Sequence, residues 1–160
     1  MNILAVDTAG KTAGVALLQD DRLLYEVYLD AGMTHSETLM PMIDTCLKMC
    51  GLTCADIDLY AVNAGPGSFT GLRIGLAAVK GLAFPRETLC APVSTLEALA
   101  AAHTGGLARR IHGQNIHTVT PSMVILRVVS SRRSMFTRMG FSSANRSAKF
   151  SLHSAATTAP

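Results

Sequence analysis

The residues of this chain that could do chemistry are concentrated in a glycine-rich block at residues 65–75, GPGSFTGLRIG. Backbone amides in such a loop, placed at the start of a helix, favour an anion such as phosphate. The block lacks the Gly-Lys-Ser/Thr of a P-loop, because Leu72 follows Gly71, and it lacks a dinucleotide-binding G-x-G-x-x-G, because position 70 is Thr. Ser68 does not fit a nucleophile elbow either, since Pro66 stands where that motif requires Gly. The block alone therefore predicts neither a standard phosphate cradle nor a catalytic serine.

Cysteine and histidine spacing does not predict a metal site. Cys46, Cys50 and Cys54 are four residues apart rather than in a C-x-x-C pair, and His35 has Leu39 four positions on instead of a second His. The chain shows no export signal and no uninterrupted apolar stretch of membrane-spanning length. We therefore expect reduced thiols in a cytoplasmic protein that has no contact with a membrane.

Charge divides the chain into two parts. The 160 residues are 49% apolar and 16% charged, which suits one core. Residues 1–103 carry all eleven acidic residues and a net charge of −5, whereas residues 104–160 carry eight basic residues, no acid and a net charge of +8. The second part is rich in Ser, Ala and Thr and has little periodicity, so we expect a basic low-order tail, with a second domain that is truncated or read in a shifted frame. A basic arm that contacts RNA is the alternative.

The apolar pattern of the first part predicts an α/β domain. Three apolar runs joined by tight turns predict an antiparallel meander, and Thr34 with Glu37 predicts a capping box that starts the first helix. Gly51 is typical of a left-handed helix end. The predicted order is βββαβαβα, with strands at 3–6, 13–18, 22–29, 57–63 and 88–91 and helices at 35–50, 71–83 and 95–102.

Two of these helices carry small or apolar residues beyond one core face. The face of the first helix comprises Leu39, Ile43, Cys46, Leu47 and Cys50. Met40, Met42 and Met49 are left over, and they either fill gaps in the core or form a second apolar face for a partner helix. In the second helix Gly71, Gly75 and Ala78 share a face on which another backbone can approach closely.

Three segments resemble the bacterial TsaB (YeaZ) family: LAVDTA at 4–9, HSE at 35–37 followed by Leu39 and Pro41, and the glycine block. The resemblance covers about residues 1–103. It implies the actin-like, ribonuclease-H-like N-terminal lobe (Gcp-like domain) of a subunit that is itself not catalytic, with the second lobe missing or disrupted here. Such subunits pair with a catalytic TsaD-type subunit that makes threonylcarbamoyladenosine (t6A) beside the tRNA anticodon.

The resemblance also implies the partners and the site residues. It implies a TsaE-type ATPase as a further partner, possible homodimers, and only indirect contact with tRNA. It also implies that this chain has no catalytic residue, metal or cofactor. The partner surface would lie on the helices at 35–50 and 71–83, and it comprises His35, Glu37, Met40, Ile43, Leu47, Gly71, Arg73, Gly75 and Ala78. Gly75→Leu is accordingly expected to abolish pairing while the lobe stays folded.

Two other functions remain open from the sequence. Asp7-Thr8 resembles the first phosphate loop of actin-like ATPases, where an Asp acts on metal-bound phosphate. The chain could thus be a nucleotide-binding enzyme that uses Asp7, Thr8, Gly65, Gly67 and Ser68. The third function is an RNA-binding module that works through the basic tail, which lacks aromatic residues for stacking apart from Phe136, Phe141 and Phe150.

Overall fold

The computed structural model describes residues 1–20, 22–30 and 34–104, with side chains described as far as residue 100. The predicted tail, apart from Thr104, lies outside these residues. The described elements follow the predicted order βββαβαβα: β1 (Asn2–Asp7), β2 (Ala13–Gln19), β3 (Arg22–Leu29), α1 (His35–Met49), β4 (Leu59–Gly65), α2 (Phe69–Ala83), β5 (Leu89–Ser94) and α3 (Thr95–Thr104). Short 3-10 turns at Cys54–Asp56 and Phe84–Arg86 precede β4 and β5.

The strands form one five-stranded mixed sheet in the order β3-β2-β1-β4-β5. The β1–β2 and β2–β3 pairs are antiparallel, which confirms the predicted meander, and β4 and β5 add in parallel to β1. Ala5, in the central strand, lies opposite Ala16 on one side and Ala61 on the other. The carboxyl ends of β1, β4 and β5 therefore share one edge of the sheet, and this edge positions the candidate site.

Side chains alternate between the two faces of the sheet, as the pleat requires. One face, with Leu4, Val6, Val15 and Leu17, packs against α1 and α2. The other face has smaller side chains and packs against Ala98 of α3. The β4 prediction began two residues early, because Ile57 is buried although it precedes the strand.

The first helix confirms most of its predicted signals. The backbone N–H and hydroxyl of Thr34 donate to the Glu37 carboxylate at 3.2 and 2.6 Å, and Gly51 has a φ of +66° just after the helix. Of the two alternatives for the leftover methionines, core filling holds for Met42, which is 7% exposed, whereas Met40 and Met49 are 46% and 69% exposed. Since α1 packs on β2, β3 and α2 together, its buried stripe is wider than one narrow face.

No helix in the described part of the chain is long and apolar enough to span a membrane. The four cysteines, Cys46, Cys50, Cys54 and Cys90, are free thiols.

Candidate functional site

A buried polar network lies where β1 and β4 end. Asp7, the last residue of β1, is 3% exposed, and its Oδ1 accepts hydrogen bonds from the Ala9 backbone N–H at 2.9 Å and from Asn63 Nδ2 at 3.1 Å. Asn63 Oδ1 accepts from the Gly65 backbone N–H at 3.0 Å and from the Thr95 hydroxyl at 2.6 Å. Asn63 thus connects β1, the glycine loop and α3 through one amide.

The sequence analysis missed Asn63. A polar residue in an otherwise apolar strand, directly before a glycine loop, was the available signal, because a buried amide requires partners for both of its ends. At 1% exposure Asn63 is as buried as the apolar residues beside it in β4.

Burial raises the pKa of Asp7 above its ordinary value of 3.8, because desolvation disfavours the charged carboxylate. The hydrogen bonds from Ala9 and Asn63, and the charge of His35, act in the opposite direction without cancelling this effect. Oδ1 is already used by two donors of the same chain. The carboxyl group is therefore built into the fold at the end of β1.

The glycine loop packs on the segment that follows Asp7. The Ser68 backbone N–H donates to the Ala9 carbonyl oxygen at 2.7 Å, and Ser68 Oγ caps α2 by accepting from the Gly71 N–H at 3.2 Å. A Cβ at Gly67 would lie 2.6 Å from the Ala9 carbonyl oxygen, so only glycine fits there. The structure thus brings together the five residues nominated for nucleotide binding. The N–H and Oγ of Ser68, which could hold a phosphate, form hydrogen bonds to Ala9 and Gly71 of the same chain instead.

The small residues of α2 pack against Thr8. The Thr8 hydroxyl donates to the Gly71 carbonyl oxygen at 2.8 Å, and a Cβ at Gly71 would overlap the Thr8 carbonyl oxygen. The predicted close approach of another backbone is confirmed, and that backbone is the segment just after β1 of the same chain. A Cβ at Gly75 would overlap Thr8 Oγ1. Gly75→Leu would therefore displace Thr8 and alter the packing of α2, so it does not act on a partner surface alone.

The nominated partner-surface residues divide by burial. Ile43 and Leu47 are 1% and 6% exposed and belong to the core, and Gly71 and Gly75 face Thr8. These four residues present no side chain to a partner. The residues of the set that are exposed or partly exposed are His35, Glu37, Met40, Arg73 and Ala78.

The amino-terminal ends of α1 and α2 lie side by side at the site. His35 Nε2 donates to the Gly10 carbonyl oxygen at 3.0 Å, and its ring reaches to 3.2 Å from where a Gly71 Cβ would be. Phe69, which the sequence analysis did not nominate, is 74% exposed, and the Arg73 guanidinium stacks 5.3 Å from its ring centroid. We use the name helix-start surface for four residues in the first two turns of α1 and α2: the partly buried His35 and the exposed Met40, Phe69 and Arg73.

No group of three or more potential metal ligands occurs in the parts of the chain that the structure describes. The site combines a hydrogen-bonded interior network at the ends of β1 and β4 with an aromatic and cationic surface at the starts of α1 and α2.

The family model, a curated relative and a solved structure that resemble this chain all belong to the TsaD, TsaB and YeaZ group of proteins. The family model described as TsaD, tRNA N6-adenosine threonylcarbamoyltransferase, matches residues 29–138, which extends past the boundary near residue 103. The Bacillus subtilis protein named tRNA threonylcarbamoyladenosine biosynthesis protein TsaB is 40% identical over 101 residues, which are 63% of this chain and 44% of that protein. The chain thus spans about half the length of the curated relatives that it matches.

Two solved structures show the same fold. YeaZ from Pseudomonas aeruginosa superposes with a TM-score of 0.60 at 36% identity, over 66% of this chain and 50% of that one. A T. thermophilus RuvC in complex with Holliday junction substrate has a TM-score of 0.54 at 16% identity, over 88% of this chain and 97% of that one. The second similarity concerns the fold alone, and it confirms the ribonuclease-H-like α/β class.

Proposed function

The chain belongs to the family that the TsaD model describes, with the N-terminal lobe of a TsaB protein, and we propose that it acts as a partner subunit in tRNA t6A modification. In this proposal it binds a catalytic TsaD-type subunit and stabilises that subunit's active state. It performs no step of the chemistry itself, and it works in the cytoplasm, where tRNA is modified.

The helix-start surface is the observation that carries this proposal. Phe69 is 74% exposed and Met40 46% exposed, on two helices that begin side by side. Aromatic residues, Met and Arg are enriched at the centres of protein interfaces, and an exposed Phe stacked on Arg has the composition of a binding hot spot. Docking of a partner here would cover apolar area that the lobe otherwise leaves in water.

The interior network supports the non-catalytic part of the proposal. A general base or metal ligand acts through a carboxylate oxygen that can meet the reacting group. Asp7 is 3% exposed and its Oδ1 is held by Ala9 and Asn63, and Ser68 Oγ is used in capping α2. These contacts hold the glycine loop and the start of α2 in place, so the network positions Phe69 and Arg73 of the helix-start surface.

Charge supports indirect contact with tRNA. Residues 1–103 have a net charge of −5, so the lobe itself is repelled by the phosphates of RNA, whereas residues 104–160 carry +8. We therefore propose that the catalytic subunit contacts tRNA and that the lobe binds the protein components, with a TsaE-type ATPase as a further component.

Reconstitution of the modification reaction tests the proposal. Unmodified tRNA, the TsaD-type subunit and the remaining components are combined with and without the full chain, and modified adenosine is quantified. We expect modification to depend on the chain, and we expect none when the chain replaces the TsaD-type subunit. An unchanged rate without the chain, or product formed by the chain in place of that subunit, contradicts the proposal.

A further inference from the structure

The helix α3 lies on the face of the sheet opposite α1 and α2, and a side-chain hydrogen bond joins it to the end of β4. The Thr95 hydroxyl, at the first position of α3, donates to Asn63 Oδ1 at 2.6 Å. Ser94, which ends β5, pairs with Gly65 of β4, and this pairing brings Thr95 beside the end of β4. The polar network is therefore contacted from the side of the sheet away from the helix-start surface.

The pleat of the sheet explains why the network forms on the α3 side. Ala5 and Ala61, which pair in register, belong to the apolar cluster of the α3 face. Asp7 and Asn63 lie two residues further along the same strands, so their side chains point to that face as well. Thr8, the next residue, instead donates its hydroxyl to the first turn of α2. Polar groups that are neighbours in the sequence thus contact opposite layers of the lobe.

The Asn63 amide is held at three points. Its Oδ1 accepts from the Thr95 hydroxyl and from the Gly65 N–H, which uses both lone pairs of the oxygen, and its Nδ2 donates to Asp7. Asn63 is 1% exposed, so an oxygen lone pair left without a donor there is costly. Gly65 belongs to the loop that the amide must hold, whereas Thr95 belongs to a separate element. Thr95 is therefore the external support for the orientation of this amide.

The amide in turn fixes the start of α2. Its contact with the Gly65 N–H lies at the register shift where β4 leaves the sheet. Through Asp7 it also holds Ala9, whose carbonyl oxygen accepts from the Ser68 N–H at 2.7 Å. Phe69 follows Ser68 directly as the first residue of α2. A continuous series of hydrogen bonds thus leads from α3, across the edge of the sheet, to the residue before the exposed phenylalanine.

We propose that Thr95 is a positioning residue for partner binding. Its hydroxyl fixes the Asn63 amide, and the amide fixes the loop from which Phe69 is presented. The effect on partner binding rests on the proposed function, whereas the effect on the loop concerns this chain alone. Through this contact α3 contributes to a surface that α1 and α2 form on the other side of the sheet.

Amide hydrogen exchange of the full chain, resolved by NMR, tests the positioning. Thr95→Val removes the hydroxyl and keeps the shape of the side chain, and Thr95→Ser keeps the hydroxyl. The reporters are the backbone N–H groups of Gly65 and Ser68, which donate within the network. The reference is the Asp58 N–H, which donates to the Asn2 carbonyl oxygen at 2.9 Å, at the opposite end of β1 and β4.

In Thr95→Val we expect the Gly65 and Ser68 amides to exchange at least about tenfold faster than in the unmodified chain, because local opening of the loop costs less once the hydroxyl is lost. Exchange at Asp58 should stay unchanged, and Thr95→Ser should behave like the unmodified chain. Calorimetric titration with the TsaD-type subunit should show binding weakened at least about fivefold by Thr95→Val and restored by Thr95→Ser.

Three results overturn the proposal. The first is an equal acceleration at Asp58, which would mean that the hydroxyl stabilises the lobe as a whole. The second is unchanged exchange of either reporter in Thr95→Val, or an equal acceleration in Thr95→Ser. The third is unchanged affinity of Thr95→Val where Phe69→Asp weakens the complex, in which case the proposed function stands without this role. If the unmodified chain does not bind the TsaD-type subunit, the proposed function fails instead, and the exchange rates alone decide whether Thr95 positions the loop.

Discussion

The Thr8 hydroxyl donates to the Gly71 carbonyl oxygen at 2.8 Å, and this hydrogen bond joins the segment after β1 to the first turn of α2. Thr8 is 1% exposed, and the carbonyl of Gly71 is reached only because neither Gly71 nor Gly75 has a side chain. The glycine block is therefore explained in large part by packing within the lobe, which sets the direction of α2 and the position of Phe69 at its start.

Gly71→Ala should lower the free energy of unfolding by about 1–3 kcal/mol, because the added methyl group overlaps the Thr8 carbonyl and the strand or helix must move. Gly81→Ala is the control in the same helix. Nothing lies within 4 Å of a Cβ at position 81, so that change should raise stability by about 0.5–1 kcal/mol. Urea denaturation of both variants measures the two effects, and effects of the same sign would contradict the packing described for Thr8.

Asp7→Asn should change how stability depends on pH. Because burial raises the pKa of Asp7 in the folded lobe, the folded state binds its proton more tightly than the unfolded state does. The contribution of Asp7 to stability is therefore fully present below its ordinary pKa of 3.8 and is lost as pH rises through the folded pKa. An Asn side chain still accepts from the Ala9 N–H through Oδ1 and carries no proton to lose.

The free energy of unfolding of Asp7→Asn, minus that of the unmodified chain, should thus increase as pH rises from about 4 through the raised pKa of Asp7 in the folded lobe. Taking the difference removes the contributions of Glu37 and Asp56, whose pKa values are lowered by hydrogen bonds from Thr34 and Thr53 and which are unaltered in both proteins. A difference that is constant or falls over this range would show that Asp7 is not held as a desolvated carboxyl group.

The chain alone should neither hydrolyse ATP nor bind it tightly, because the Ser68 groups and Asp7 Oδ1 are engaged within the lobe and the glycine block lacks a Lys to hold phosphates. Calorimetric titration with ATP and a phosphate-release assay, on material free of the TsaD-type subunit, measure both. Turnover that disappears in Asp7→Asn would instead favour the nucleotide-binding enzyme.

The sequence predicted the order of elements because their signals are local. Thr34 with Glu37 marks the start of α1, Gly51 marks its end, and short apolar runs between turns mark the strands. What it could not show was which faces meet. The helical spacing of Gly71 and Gly75 predicted that another group approaches α2 closely. That group is Thr8, which is 63 residues away from Gly71 in the sequence, and it reaches α2 because β1 pairs in parallel with β4.

The candidate site was likewise predicted only in part from the sequence. Asp7 and Ser68 were nominated for nucleotide binding, and the structure brings them close together through Ala9, whereas Arg73 was nominated for the partner surface and is exposed on α2. Asn63 and Phe69 were missed, because a buried amide network and the exposure of an aromatic ring depend on tertiary packing and leave no periodic signal in the chain.

The central claim is that the helix-start surface binds a TsaD-type subunit. The most direct test compares the binding of two variants of the full chain, each altered at one exposed phenylalanine. Phe69 begins α2 at the helix-start surface and is 74% exposed, whereas Phe84, just after the other end of α2, is 83% exposed. Isothermal titration should show Phe69→Asp weakening the complex at least about 30-fold, as for an interface hot spot worth about 2 kcal/mol, with Phe84→Asp within about twofold of the unmodified chain. Equal affinity of Phe69→Asp and the unmodified chain, or an equal loss in Phe84→Asp, would contradict the account.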